Sequence, residues 1–297
     1  MNIIGRRKIW YTISLITIVL GIISMVYRTA TVGTPLNLGI DFTGGNIFGI
    51  EFKKPVTVEE VRGVLQGLDL GNSVIQKTGT NEVLIRTRVL DKEGQDKVLS
   101  EFEKKIGTYN KDKLRLDKVG PTMGRELTRN ALLALGIASV LMVIYITFRF
   151  EVFFGITAII ALMHDVFVTV GIFSIFWWEI DSSFVAAMLT IIGYSINDTI
   201  VIFDRIRENL HQRKKGEDVV GLVNDSIMQT MTRSINTVLA ITIVLMALLI
   251  FGGGTIRNFT LAMLIGVITG AYSSVFNASP LWVDLRNFAR KRKLARA

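Results

Sequence analysis

The stretch IIGYSINDTIVIF, residues 191–203, decides how the chain is read. Apolar residues frame it, yet Tyr194, Ser195, Asn197, Asp198 and Thr199 interrupt its middle. The surrounding run, 184–203, is one of six long enough to cross about 30 Å of hydrocarbon as a helix. The others lie near 9–27, 127–148, 152–177, 235–251 and 259–281. Of the 297 residues, 50% are hydrophobic and 20% charged, and the mean hydropathy is +0.45, which excludes a disordered chain or an ordinary cytosolic domain. The first run follows Arg6, Arg7 and Lys8 and continues without an A-x-A-like cleavage site, so it reads as a retained span rather than a signal peptide. With no cysteine in the chain, disulfides, thiolate metal sites and cysteine nucleophiles are excluded.

The net charge of +9 reads as topology. If six spans alternate, sixteen of the eighteen lysines and arginines outside residues 28–125 fall on one side, with Arg129 and Arg257 on the other. The positive-inside rule then places both termini in the cytoplasm and residues 28–125 on the external face. Basic clusters beside spans also suit anionic lipids, and nothing here calls for nucleic acid. The implied organisation is a first span with its cytosolic N-terminus (1–27), an external domain (28–125), a five-helix bundle (126–284) and a basic cytosolic tail (285–297). Within the bundle, residues 205–233 form a cytosolic amphipathic loop. Its apolar side, including Val219, Val220, Leu222, Val223, Ile227 and Met228, is expected to lie along the membrane surface.

Between the first two spans the composition turns to that of a soluble domain. Residues 46–52 alternate as a strand, 58–68 carry a helical stripe, and 74–77 with 83–89 read as two strands joined by a turn at 79–81. A second amphipathic helix over 92–106 and a strand over 114–119 complete the order β-α-β-β-α-β, which suggests a ferredoxin-like α+β domain. Two glycine-bearing motifs flank it, LNLGIDFTGGN (36–46) and VGPTMGREL (119–127). Gly44 and Gly45 permit dihedrals or approaches that a Cβ forbids, and with Gly120 and Pro121 they suit a hinge between membrane and external domain better than a phosphate loop. Asp41 is either a functional acid or a turn carboxylate bonded to backbone N–H groups.

Ionisable groups within the spans need a partner, a hydrated cavity or a task. His164 and Asp165 lie about twelve residues into the third span, roughly 18 Å deep, and as neighbours they face directions about 100° apart. In the fourth, Tyr194 and Asp198 share a face, and Gly193 with Asn197 forms an adjacent stripe suited to a helix contact around a hydrated pocket. Asp198 is the foremost candidate for a carboxylate that gains and loses a proton, the alternative being a hydrogen-bonded helix clamp. Arg233, opening the fifth span, either pairs with Asp198 or snorkels to the interface. With two histidines in the chain, one of them (His211) in a basic loop, a zinc centre is not expected. Nor is an enzyme, since neither a Ser/His/Asp constellation nor a nucleotide motif is present.

Seven segments in register carry a family resemblance: LNLGIDFTGGN, VGPTMGREL, YITFRFE (145–151), ALMHDV (161–166), IIGYSINDTIVIFDRIREN (191–209), QTMTRSINT (229–237) and AYSSVFNASPLW (271–282). They resemble the SecF family, the smaller membrane component of bacterial SecDF in the RND superfamily. The resemblance implies a polytopic α-helical membrane protein, an RND half-transporter that acts with SecD beside the SecYEG channel, with YajC as a further partner. It implies proton-driven promotion of late translocation of unfolded polypeptide across the cytoplasmic membrane, with the proton-motive force as energy source and no cofactor. It also implicates Asp198 and Arg233 in proton passage; Asn197, His164 and Asp165 join them as expected company from their own places within the spans. A small-molecule efflux subunit and a scaffold without proton coupling are the alternatives. Val238, Leu239 and Ala240 follow SINT where the family often carries hydroxyl residues, and Asn277 occupies a position expected to be apolar.

Overall fold

The computed structural model describes residues 2–149, 151–213, 218–254 and 256–294. Lys214, Lys215, the expected turn near Gly216 and Arg296 lie outside the described residues. Among the described residues, six helical stretches are long and apolar enough to cross a membrane: Ile4–Val32, Gly124–Arg149, Val152–Phe176, Ser182–Gln212, Val219–Phe251 and Arg257–Arg292. They contain α1 (Arg7–Val32), α5 (Pro121–Arg149), α6 (Val152–Phe176), α7 (Ser182–Gln212), α8 (Val219–Phe251), and α9 (Arg257–Ser273) continued by α10 (Ser279–Leu294). The windows of α6, α7 and α9 are far more buried than those of α1, α5 and α8. The latter three turn outward faces that include Leu15, Ile23, Leu132, Ile137, Ile243 and Ile250, as helices facing hydrocarbon do.

Packing of α1 on α6 rests on two glycines. A Cβ built at Gly21 would lie 2.8 Å from the Cα of Gly171, so the backbones themselves touch at this crossing. At one end of the bundle Ile3, Ile4, Phe154, Phe203, Ile206 and Trp282 form a buried cluster, with Phe154 stacked on Trp282 at 4.6 Å between centroids.

The small domain contains β2 (Gly45–Glu51), α3 (Val58–Gln66), β3 (Val74–Thr78), β4 (Glu82–Thr87), α4 (Lys92–Lys105) and β5 (Arg115–Val119). Every strand pair in its sheet is antiparallel and the spatial order is β3-β4-β2-β5. Helix α3 starts with a capping box, in which the Thr57 hydroxyl accepts from the Glu60 N–H while the Glu60 carboxylate accepts from the Thr57 N–H. Asp91 caps α4 through the Gly94 N–H at 2.8 Å. The stripes of the two helices and the alternating side chains of the strands close a core of Phe48, Ile50, Val61, Leu65, Ile85 and Phe102.

Before this domain lie β1 (Asn37–Leu38) and the short α2 (Ile40–Thr43). Strand β1 pairs in parallel with β6 (Glu179–Ile180), in the connection between α6 and α7. Neither strand has a periodicity of its own, being two residues long, and the sequence does not announce them.

Among the described residues, 205–212 and 219–233 are helical rather than a surface loop. Helix α7 runs to Gln212, α8 begins at Val219, and Leu222, Val223 and Ile227 are buried against Ile3, Ile4 and Ile206. The apolar stripe expected to rest on the membrane packs instead on the chain's own N-terminus, where Asn224 Oδ1 accepts from the Ile3 and Ile4 N–H groups at 2.9 and 3.1 Å. An amphipathic stripe reports that one face is covered and not by what.

Candidate proton site in the membrane bundle

The most buried carboxylate in the bundle is Asp165, midway along α6 and fully enclosed. Its Oδ1 lies 3.0 Å from His164 Nδ1, and its Oδ2 accepts from Ser195 Oγ of α7 at 2.6 Å and from Ser273 Oγ of α9 at 2.9 Å. Three helices therefore meet on one side chain. They come close because α9 offers glycine to α7: a Cβ at Gly270 would sit 3.0 Å from that of Ser195, and one at Gly266 would collide with Ile191. The contact stripe expected at Gly193 is not there, since a Cβ at that position meets nothing within 4 Å. Neighbouring helical positions point about 100° apart, yet His164 and Asp165 join directly, because Nδ1 is the ring nitrogen nearer the backbone and the two side chains bend together.

Directly after Ser273 the helix widens into a π turn over Ser274–Ala278. Ser274 Oγ lies 2.7 Å from Thr199 Oγ and 2.8 Å from the Gly270 carbonyl. Asn277, in the same turn, donates to Ser14 Oγ of α1 at 2.8 Å, the interhelical bond that makes a polar residue tolerable there. Tyr272 stacks on His164 at 5.9 Å and donates to the Trp10 carbonyl at 2.8 Å. Single π turns recur at functional sites. The hydroxyl groups absent from 238–240 are thus present on another seam, between α7 and α9, as Ser195, Thr199, Ser273 and Ser274.

Asp198 lies one turn beyond Ser195 and faces α8. Its Oδ1 accepts from Ser234 Oγ at 2.7 Å, and its Oδ2 is buried without a hydrogen-bond partner among the described residues. Asn197 is exposed beside it. Arg233 is exposed and forms no ion pair with Asp198 among the described residues. Because α8 begins at Val219, Arg233 stands inside a continuous helix, about 21 Å from its start at 1.5 Å per residue, rather than near a helix end. Asp198 is half-buried and incompletely bonded; Asp165 is sealed and saturated.

At the far end of α7, Asp41 accepts from the Ser182 N–H at 2.9 Å and from Ser182 Oγ at 2.6 Å. It binds a backbone N–H, though one across the fold and not in its own turn. Asp181 caps the same helix through the Phe184 N–H at 2.9 Å and accepts from Asn258 Nδ2 at 2.9 Å. Gly44 takes a φ of +77°, and a Cβ at Gly45 would collide with the Thr87 carbonyl and the Ile40 side chain. Gly120 precedes Pro121, the first residue of α5.

Residues 98–288 match the family described as Protein export membrane protein SecD/SecF, C-terminal, and residues 29–56 match the SecD/SecF GG motif. Protein translocase subunit SecF of Sebaldella termitidis is 40% identical over 99% of this chain and 94% of its own length. The chain belongs to the SecF family. The SecF of Acidaminococcus fermentans is 44% identical over 96% of this chain and 97% of its own. A crystal structure of SecDF, a translocon-associated membrane protein from Thermus thermophilus, superposes with a TM-score of 0.80 at 33% identity, covering 97% of this chain. The chain spans only 39% of that SecDF chain, so it corresponds to one part of it. Membership of the SecF family gives this multi-pass membrane protein a role in protein export.

Proposed function

We propose that the chain acts with SecD, beside the SecYEG channel and with YajC as a further partner, to convert the proton-motive force into late translocation of unfolded polypeptide. Both termini lie in the cytoplasm of the bacterial inner membrane, the small domain lies outside as a ferredoxin-like lobe, and anionic lipids meet the basic edge. The strand order β3-β4-β2-β5, with two helices on one core, supports that reading of the lobe. The protein is not an enzyme and uses no cofactor; its currency is the proton.

Asp198 carries the proton in this reading. The supporting observation is its buried Oδ2, which has no donor while Oδ1 holds a single one. An intramembrane carboxylate left half-satisfied is costly when charged and open to protonation. Arg233, exposed on the facing helix, is placed to supply a counter-charge when α7 and α8 shift, with Asn197 at the same face. His164 and Asp165 form a hydrogen-bonded pair behind it.

Purified chain assembled with SecD and SecYEG in vesicles tests the reading. Asp198→Asn is expected to leave assembly intact and abolish the stimulation of export by an imposed proton gradient, with Arg233→Leu behaving alike. If both variants are silent, the chain is a scaffold and the reading fails.

A further inference from the structure

The small domain is tied covalently to the bundle at Gly44 and Gly45 and again at Gly120 and Pro121. Beyond α2, its non-covalent ties include Arg86 Nη1 of β4 on Glu179 Oε2 of β6 at 3.2 Å, and Gln76 Nε2 of β3 on the Gly254 carbonyl at 3.3 Å. Arg86 and Glu179 keep only 13% and 7% of their side-chain surface, yet both line a polar cleft of about 560 Å³ between domain and bundle. Water and protons therefore reach a nearly buried pair from one side. A buried ion pair has a small net worth, because desolvation offsets most of its attraction, so it suits a contact that opens and closes.

We propose that Arg86 and Glu179 are a latch that docks the small domain on the connection between α6 and α7, and that docking is coupled to proton uptake at this connection. Glu179 faces Arg86 from β4, Asp41 from α2 and Asp181 at the head of α7. Arg88 lines the same cleft and is paired with Asp69 at 3.3 Å, while β1 and α9 bring the neutral Asn37 and Asn258. Burial pushes the Glu179 carboxyl above the usual glutamate range; Arg86 opposes this, and Asp181 and Asp41 add to it.

An undocked, hydrated Glu179 titrates in the ordinary range, whereas the docked one holds its proton to higher pH. Docking is therefore strongest below the ordinary glutamate value and weakens as pH rises through the elevated one. Acid fastens this latch, the reverse of what a simple salt bridge does. Each unit of elevation is worth about tenfold in the docking equilibrium.

The cysteine-free chain allows a direct test. Spin labels on Ser100→Cys in α4 and Thr31→Cys in α1 report the distance between domain and bundle in the purified full chain, from acid to mildly alkaline pH. The docked distance is expected to dominate in acid and decline as pH rises. Glu179→Gln is expected to hold the acid distribution at every pH, and Arg86→Gln to lose docking at neutral pH and keep it in acid. A second readout uses Gln76→Cys with Gly254→Cys, since a Cβ at Gly254 lies 3.6 Å from that of Gln76, within disulfide reach. At one fixed neutral pH, Glu179→Gln should speed closure of that disulfide and Arg86→Gln should slow it. A distance distribution independent of pH, a Glu179→Gln profile that tracks the parent, or closure indifferent to both variants would overturn the proposal.

Discussion

Two carboxylates in the bundle differ in what their oxygens touch, and the difference assigns them different work. Asp165 is held by His164, Ser195 and Ser273 on three helices. Removing one donor leaves a buried acceptor short, which costs about 1–3 kcal/mol. Ser195→Ala is therefore expected to lower the unfolding free energy of the purified chain by that much. Asp198 has one donor, Ser234, so Asp198→Asn keeps the bond and should change the unfolding free energy by less than about 1 kcal/mol. If Asp198→Asn destabilises as strongly as Ser195→Ala, Asp198 is a clamp and not a carrier. Asp198 was legible in the sequence because a charge inside an apolar run is visible without knowing the fold. The part played by Ser273 was not, since a serine in a span acquires meaning only from the carboxylate that another helix brings to it.

At the scale of elements, helix ends and crossings carry the argument. Accepting hydrogen bonds from Thr57 holds the Glu60 carboxyl below the usual glutamate range. A depressed carboxylate contributes stability that is present above its ordinary value and lost as pH falls through the depressed one. Amide protection in the first turn of α3, taken relative to the intrinsic exchange rate at each pH, should accordingly fall in acid, and Thr57→Ala should erase most of that pH dependence. At the crossing of α1 and α6, Gly21→Val forces apart backbones that now touch; overpacking of this kind costs about 1–3 kcal/mol and should appear as a lowered midpoint with α5 and α8 undisturbed. Strands and helices of the small domain were readable to within one or two residues, since periods of 2 and 3.6 survive in short segments there. The start of α8 was not, because residues 219–228 are equally apolar whether they meet lipid or the N-terminus. That single ambiguity also misplaced Arg233 at a helix end. The π turn was hidden too, for nothing in SVFNA marks a wider ring than the usual one.

For the whole molecule, a bundle with a polar seam between α7 and α9 carries a small domain on two glycine-marked connections. The GG motif does more than turn the chain: Asp41 reaches Ser182 and β1 pairs with β6, so the root of the small domain is fastened to the N-terminal end of the helix that carries Asp198. One continuous helix, α7, therefore joins this root to the carboxylate. Swapping Asp41 for Ala should loosen this root without touching the bundle core, seen as faster amide exchange at Ser182–Phe184 and unchanged exchange around Asp165. The motif was visible in the sequence, while Ser182, the partner of Asp41 at a separation of 141 residues, required the fold. In the proposed function Asp198 carries a proton whose movement drives export. The most direct test is proton flux in vesicles holding the chain with SecD and SecYEG, with Asp198→Asn compared to Asp198→Glu. Flux and proton-driven export should both vanish in Asp198→Asn and partly return in Asp198→Glu; undiminished flux and export in Asp198→Asn would contradict the account.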